Sequence, residues 1–147
     1  MGSLEPFALS DNPLDPALLA ALLRSDRAGA FVSFEGRVRG TDGNRAIVAL
    51  EYEAYPGLCQ TEGAAILHEA LREIIDARCV HRVGRLAVGD AAVWIGVIAG
   101  HRDEAFRVCR FIIDEVKRRL PIWKKEHYAD GSSAWSGLSA PQADPKG

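Results

Sequence analysis

Apolar positions along the chain recur with two periods, near 3.6 and near 2, and the changes between them mark out helices and strands. Leu18, Leu19, Leu22 and Leu23 follow Asn12-Pro13-Leu14-Asp15-Pro16, which predicts a helix from Pro16 to about Arg24. Asp15 would cap it and Pro16 would take its first position. Ala30 to Val38 alternates as a strand, with Phe34 and Val38 expected on one face. Thr41-Asp42-Gly43-Asn44 is a hairpin signal, so Ile47 to Tyr55 reads as the returning strand. Pro56-Gly57 breaks it. From Thr61 to Ala77, Ala64, Leu67, Ala70, Leu71, Ile74 and Ile75 fall at helical spacing. Cys79 to Val83 and Ala92 to Ala99 read as strands, joined through a short strand and turn between Gly84 and Asp90. A second long helix is expected over Asp103 to Arg119, with Ala105, Cys109, Ile112, Ile113 and Val116 along its buried stripe. Pro121 ends it, because proline disfavours helical geometry in the residue before it. Ile122 to Tyr128 is expected to be extended.

The resulting order, β-α-β-β-α-β-β-β-α-β, is an α+β pattern built on hairpins rather than regular βαβ crossovers. One domain is expected over residues 1–135. The stretch from Ser136, rich in Ser, Gly, Pro and Ala, reads as a disordered tail over 136–147. At 147 residues and 48% apolar, the chain can bury a respectable core. No basic segment followed by an apolar one opens the sequence, and the longest apolar run, Ala91 to Ala99, is too short to span a bilayer. A soluble, cytoplasmic protein is therefore expected. Cys59, Cys79 and Cys109 are odd in number and widely spaced, which suits buried thiols better than disulfides or a zinc site.

Net charge is −2, so an anion site has to come from a local concentration of basic residues. His101 to Glu126 supplies one. Arg102, Arg107, Arg110, Lys117, Arg118, Arg119, Lys124 and Lys125 outnumber Asp103, Glu104, Asp114, Glu115 and Glu126 there. Acids at the start of a helix and bases at its end are what the helix dipole favours, so Arg118 and Arg119 read as a solvated helix end. Lys117 differs, since it follows Ile113 by four residues and borders the buried stripe. Pro121 then turns the chain, which leaves room for Lys124 to approach the same cleft. A lysine against an apolar wall loses proton affinity and can supply a free amine. Charge and spacing leave open whether Lys117 does this or merely snorkels. Arg37 and Arg39, two apart at a strand end, suit bidentate phosphate binding, or serve as the basic residues by which an edge strand blocks aggregation. His101-Arg102 opens a helix, where an anion is also favoured, or where the pair is a local cap with an exposed arginine. His81-Arg82 reads as a satisfied structural pair. His68, His81, His101 and His127 show no metal-ligand spacing, so neither metal nor cofactor is expected. With 7% aromatic residues and a negative net charge, nucleic-acid binding is a poor reading.

Six motifs in order resemble the large, catalytic subunit of molybdopterin synthase, the MoaE family, from about Gly29 to Trp135. They are Gly29-Ala30, Phe34-Glu35-Gly36-Arg37-Val38-Arg39, Leu50-Glu51-Tyr52-Glu53-Ala54-Tyr55, His81-Arg82-Val83-Gly84, His101-Arg102-Asp103-Glu104-Ala105-Phe106 and Pro121-Ile122-Trp123-Lys124-Lys125-Glu126. The resemblance implies an α+β fold with a mixed, mostly antiparallel sheet, two long helices packed on it and a smaller, hammerhead-like β subdomain. It also implies conversion of cyclic pyranopterin monophosphate to molybdopterin. The two sulfurs would come from the thiocarboxylated C-terminal Gly-Gly of a small ubiquitin-like subunit, within a heterotetramer built on a dimer of large subunits. By position, Lys117 and Lys124 match the family's catalytic lysines. Arg37, Val38, Arg39, His101, Arg102, Lys125 and Glu126 match its substrate-binding stretches. Leu58-Cys59 departs from the more usual Met-Ala type pair, and the continuation beyond Trp135 is not matched. No ubiquitin-like segment is fused to the chain, so the sulfur carrier is expected to be a separate protein. The alternative is a scaffold that binds such a partner without turnover.

Overall fold

Both faces of the run Ala91–Ala99 are apolar, and the chain folds so as to cover both. The computed structural model describes residues 5–137. Its elements are β1 (Phe7–Ser10), α1 (Pro16–Ala21), β2 (Ala30–Arg37), β3 (Thr41–Asp42), β4 (Arg45–Ala54) and α2 (Pro56–Ala70). They continue with β5 (Asp76–Arg82), β6 (Gly84–Ala87), β7 (Ala91–Ala99), α3 (Arg102–Arg119), β8 (Ile122–Tyr128) and β9 (Ser133–Gly137). One sheet has the order β1-β5-β7-β2, with β1 parallel to β5 and the other pairs antiparallel. The second runs β3-β4-β8-β9, with β6 also paired to β4. The fold is thus α+β and mostly antiparallel, with a second, five-stranded β unit beside the four-stranded main sheet.

Strand alternation sends Val93, Ile95, Val97 and Ala99 to one face of β7, where α2 and α3 bring Ile66, Leu67, Val108, Ile112 and Val116. Trp94 and Ile98 point to the other face, against Leu23 and Leu19 around α1. Each fully buried aliphatic chain contributes roughly 1.5–3 kcal/mol. A third cluster, formed by Val38, Ile47, Leu50, Leu86, Ala92 and Tyr128, fills the space under the second sheet. Asp15 caps α1 by accepting from the Leu18 amide at 3.2 Å, with Pro16 in the first turn. The helix stops at Ala21, short of Arg24.

Four expectations need correction. β4 is not the returning partner of β2: β2 pairs with β7, while the Gly43 turn (φ 64°) closes only the small β3–β4 ladder. A bulge between Gly36 and Arg37 ends the β2 pairing, and the chain crosses to the second sheet through Val38 and Gly40. For the same reason Phe34 and Val38 part company, Phe34 staying partly exposed and Val38 entering the second core. α2 begins at Pro56, which is suited to a helix's first turn, and ends at Ala70. Ile74 and Ile75 then fall in the bend that leads into β5 and pack on opposite sides of the main sheet. β9 extends through Ser136 and Gly137, two residues into the expected tail; residues 138–147 lie outside those described.

The end of α3 is tied down rather than simply solvated. Arg119 donates to Glu69 at 3.0 and 3.1 Å, to Glu62 at 3.2 Å and to Glu115 at 3.3 Å, linking α3 to α2. Among the described residues, no helix is long and apolar enough to cross a membrane.

Candidate active site

The last turns of α3 meet the seam between the two sheets at a cavity of about 370 Å³, room for a small heterocyclic ligand. Its basic groups come from three directions. Arg37 and Arg39 flank the crossing after β2, Lys117 comes from α3, and Lys124 comes from β8. Val116 and Leu120, both buried, form the wall beneath Lys117, together with Val93. Leu120 takes an extended backbone (ψ 134°), which stops the helix and delivers β8 back along the cavity. This turn brings the two lysines to one site.

Lys117 is exposed, yet it lines the cavity beside that wall. Burial, and then the positive charge of Lys124, hold its pKa below the ordinary lysine value. Glu126 shares a face of β8 with Lys124 and lies 3.6 Å from its amine. The other Glu126 oxygen accepts the Tyr128 hydroxyl at 2.8 Å, and that hydrogen bond, with burial, pushes Tyr128 up to about 12. Tyr52 also lines the cavity, its pKa raised by burial and then by Glu126. The site therefore offers guanidinium and ammonium donors for an oxyanion, one amine with weakened proton affinity, and a largely committed carboxylate.

Six of the nine expected site residues line this cavity: Arg37, Val38, Arg39, Lys117, Lys124 and Glu126. Three do not. Lys125 lies on the opposite face of β8, its amine 5.4 Å from the centre of the Trp135 ring. His101 and Arg102 sit at the start of α3, whose 18 residues span about 27 Å at 1.5 Å per residue. Their own chain's cavity is at the far end.

His81 is buried and bonded to the Arg82 carbonyl at 2.8 Å, as a structural pair would be, but its place in the cavity wall was not anticipated. It lines the cavity, 8% exposed, with its ring edge-on to Tyr52 at 5.0 Å. Burial lowers its pKa to about 4 against the Arg82 carbonyl, with a further lowering from Lys117. The signal was available. Ala77, Cys79 and His81 alternate onto one face of β5, and a histidine in an otherwise apolar, buried row needs a reason. Trp123, also in the lining, packs on Tyr55 at 5.1 Å. The three cysteines are buried, and burial pushes Cys59 and Cys109 up to about 11, so none is poised as a nucleophile. Among the described residues, no group of three or more His, Cys, Asp or Glu could hold a metal.

Comparison with known proteins adds to this geometry. Residues 9–119 match the family model described as MoaE protein. The molybdopterin synthase catalytic subunit of Synechococcus elongatus is 42% identical over 130 residues, 86% of this chain and 79% of that one. That of Thermoplasma volcanium is 40% identical over 126 residues, 84% of this chain and 90% of that one. The crystal structure of molybdopterin synthase from Staphylococcus aureus superposes with a TM-score of 0.85 at 33% identity, over 92% of this chain and 100% of that one.

Proposed function

The chain belongs to the MoaE protein family, and on that premise we propose that it is the catalytic subunit of a molybdopterin synthase. It acts in the cytoplasm as a sulfurtransferase, converting cyclic pyranopterin monophosphate to molybdopterin. Its sulfur donor is the thiocarboxylated C-terminal Gly-Gly of a small ubiquitin-like subunit. Each transfer forms a carbon–sulfur bond on the pterin side chain as a carbon–oxygen bond at the same carbon breaks and its oxygen leaves, and water cleaving the acyl–sulfur bond returns the tail as a carboxylate. Two transfers complete the dithiolene.

The observation that carries this reading is the convergence of Arg37, Arg39, Lys117, Lys124 and Glu126 on one small cavity. Arg37, Arg39 and Lys124 hold the substrate phosphate and offset negative charge as it develops on the reacting acyl oxygen. Lys117, with its weakened hold on a proton, acts as the acid–base or transient covalent group. Val38 shapes the apolar wall, and Glu126 orients Lys124. His101 and Arg102 are too far along α3 to serve their own cavity. In the large-subunit dimer they serve the cavity of the second copy. Lys125 supports β8 and β9 through Trp135 rather than touching the pterin.

The test mixes the protein with a thiocarboxylated small subunit and cyclic pyranopterin monophosphate, then assays for dithiolene. Product in proportion to thiocarboxylate consumed is expected. Tight binding of the small subunit with no product would leave a scaffold and end the enzyme reading.

A further inference from the structure

A buried histidine that shares its face with Ala77 and Cys79 has to satisfy two ring nitrogens. His81 satisfies one. Its Nδ1 lies 2.8 Å from the Arg82 carbonyl, and because a carbonyl only accepts, Nδ1 carries the proton. In the neutral ring Nε2 is then the bare, accepting nitrogen. It has no hydrogen-bond partner among the described residues, and it is not among the polar atoms sealed from solvent. The Tyr52 ring, at 80° to the imidazole, fixes its plane at the cavity wall.

The other groups around the cavity make this acceptor distinctive. Arg37, Arg39 and Lys124 only donate. One oxygen of Glu126 accepts from Tyr128 and the other faces Lys124. A phosphorylated pterin brings oxyanions, which the cations match, and also ring N–H groups, which cations repel. Those N–H groups require an uncommitted acceptor, which a neutral imidazole supplies. Burial and the neighbouring Lys117 keep His81 in that neutral form at working pH.

We propose that His81 Nε2 accepts a hydrogen bond from a ring N–H of the pterin, making His81 a specificity-determining residue that orients the heterocycle while the cations hold its phosphate. This rests on the functional reading above. It separates two jobs within one cavity. The basic groups recognise any phosphate, and His81 recognises the ring.

The experiment observes the wild-type protein with ¹⁵N-labelled histidine while cyclic pyranopterin monophosphate is added, with inorganic phosphate as control. The His81 Nε2 resonance is expected to move in the sense of accepting a hydrogen bond with the pterin and to stay still with phosphate. In parallel, His81→Phe is expected to bind the pterin about tenfold more weakly, the loss of one hydrogen bond, while keeping its affinity for phosphate. His81→Gln, which restores an acceptor, should recover part of the loss. An unmoved resonance in pterin-saturated wild type overturns the proposal, whether or not the Phe variant folds. So does an equal loss of pterin and phosphate binding in a folded Phe variant. Wild type that binds phosphate but no pterin would instead bring down the functional reading itself.

Discussion

Arg119→Met isolates the electrostatic clamp between α2 and α3, since methionine keeps most of the alkyl packing and removes the charge. The guanidinium is 21% exposed and reaches three carboxylates, those of Glu62, Glu69 and Glu115, which are themselves 38%, 42% and 17% exposed. Discounted for solvent, each partner is worth roughly 0.5 kcal/mol, so the substitution should cost about 1.5 kcal/mol at neutral pH. The pH dependence separates this clamp from packing. Arg119 holds Glu69 below the usual carboxylate range, and Arg118 followed by Arg119 does the same for Glu115. A carboxylate lowered in the folded state gives stability that is present above its unfolded value, about 4.3. That stability is lost as pH falls through the lowered folded value. Urea unfolding of both proteins at pH 7 and at about pH 3.5 should therefore show a gap at neutral pH that narrows in acid. Equal midpoints at pH 7 would refute the clamp, and an undiminished gap in acid would assign the effect to packing.

Gly63→Ala would set a Cβ 2.4 Å from the fully buried Phe7 ring. Overpacking against a ring costs up to ~3 kcal/mol, which outweighs the ~1 kcal/mol that alanine gains in a helix. A fall in thermal midpoint is expected, and a rise would contradict the close approach of α2 to Phe7 of β1. Lys124→Met removes the like charge beside Lys117, so the Lys117 pKa should rise. The ascending limb of the pH–kcat/KM profile should then move to higher pH, apart from any overall loss of activity. A limb that stays in place would mean that burial alone sets the Lys117 amine.

Local signals survived into the structure wherever one element's own residues decided the outcome. The Asp15 cap, the α3 stripe, the β7 run and the stop at Pro121 are of this kind. Long-range pairing was not legible. Nothing in the Thr41–Asn44 turn says that β2 will pair with β7, because that choice is made by burying Val93, Ile95 and Val97 under α3. Ile74 and Ile75 fit a helical period, but the helix has ended at Ala70 and they lie in the bend before β5, each buried on a different side of the main sheet. β9 escaped notice because Ser133–Gly137 has little apolar character of its own and is held by pairing with β8. At the site, the lysines were legible from their borders with apolar residues. The resemblance could not show that His101 and Arg102 lie a helix length away, nor that Lys125 takes the other face of β8. The place of His81 in the cavity wall was missed because a dipeptide was considered where the alternation of the whole strand carried the information.

The central claim is that the Lys117 amine does chemistry in this cavity rather than merely lining it. Lys117→Ala, combined with the thiocarboxylated small subunit and cyclic pyranopterin monophosphate, tests it most directly. Dithiolene formation should fall by at least ~10²-fold, while the variant stays folded and still binds the small subunit. Wild-type turnover in Lys117→Ala would contradict the account.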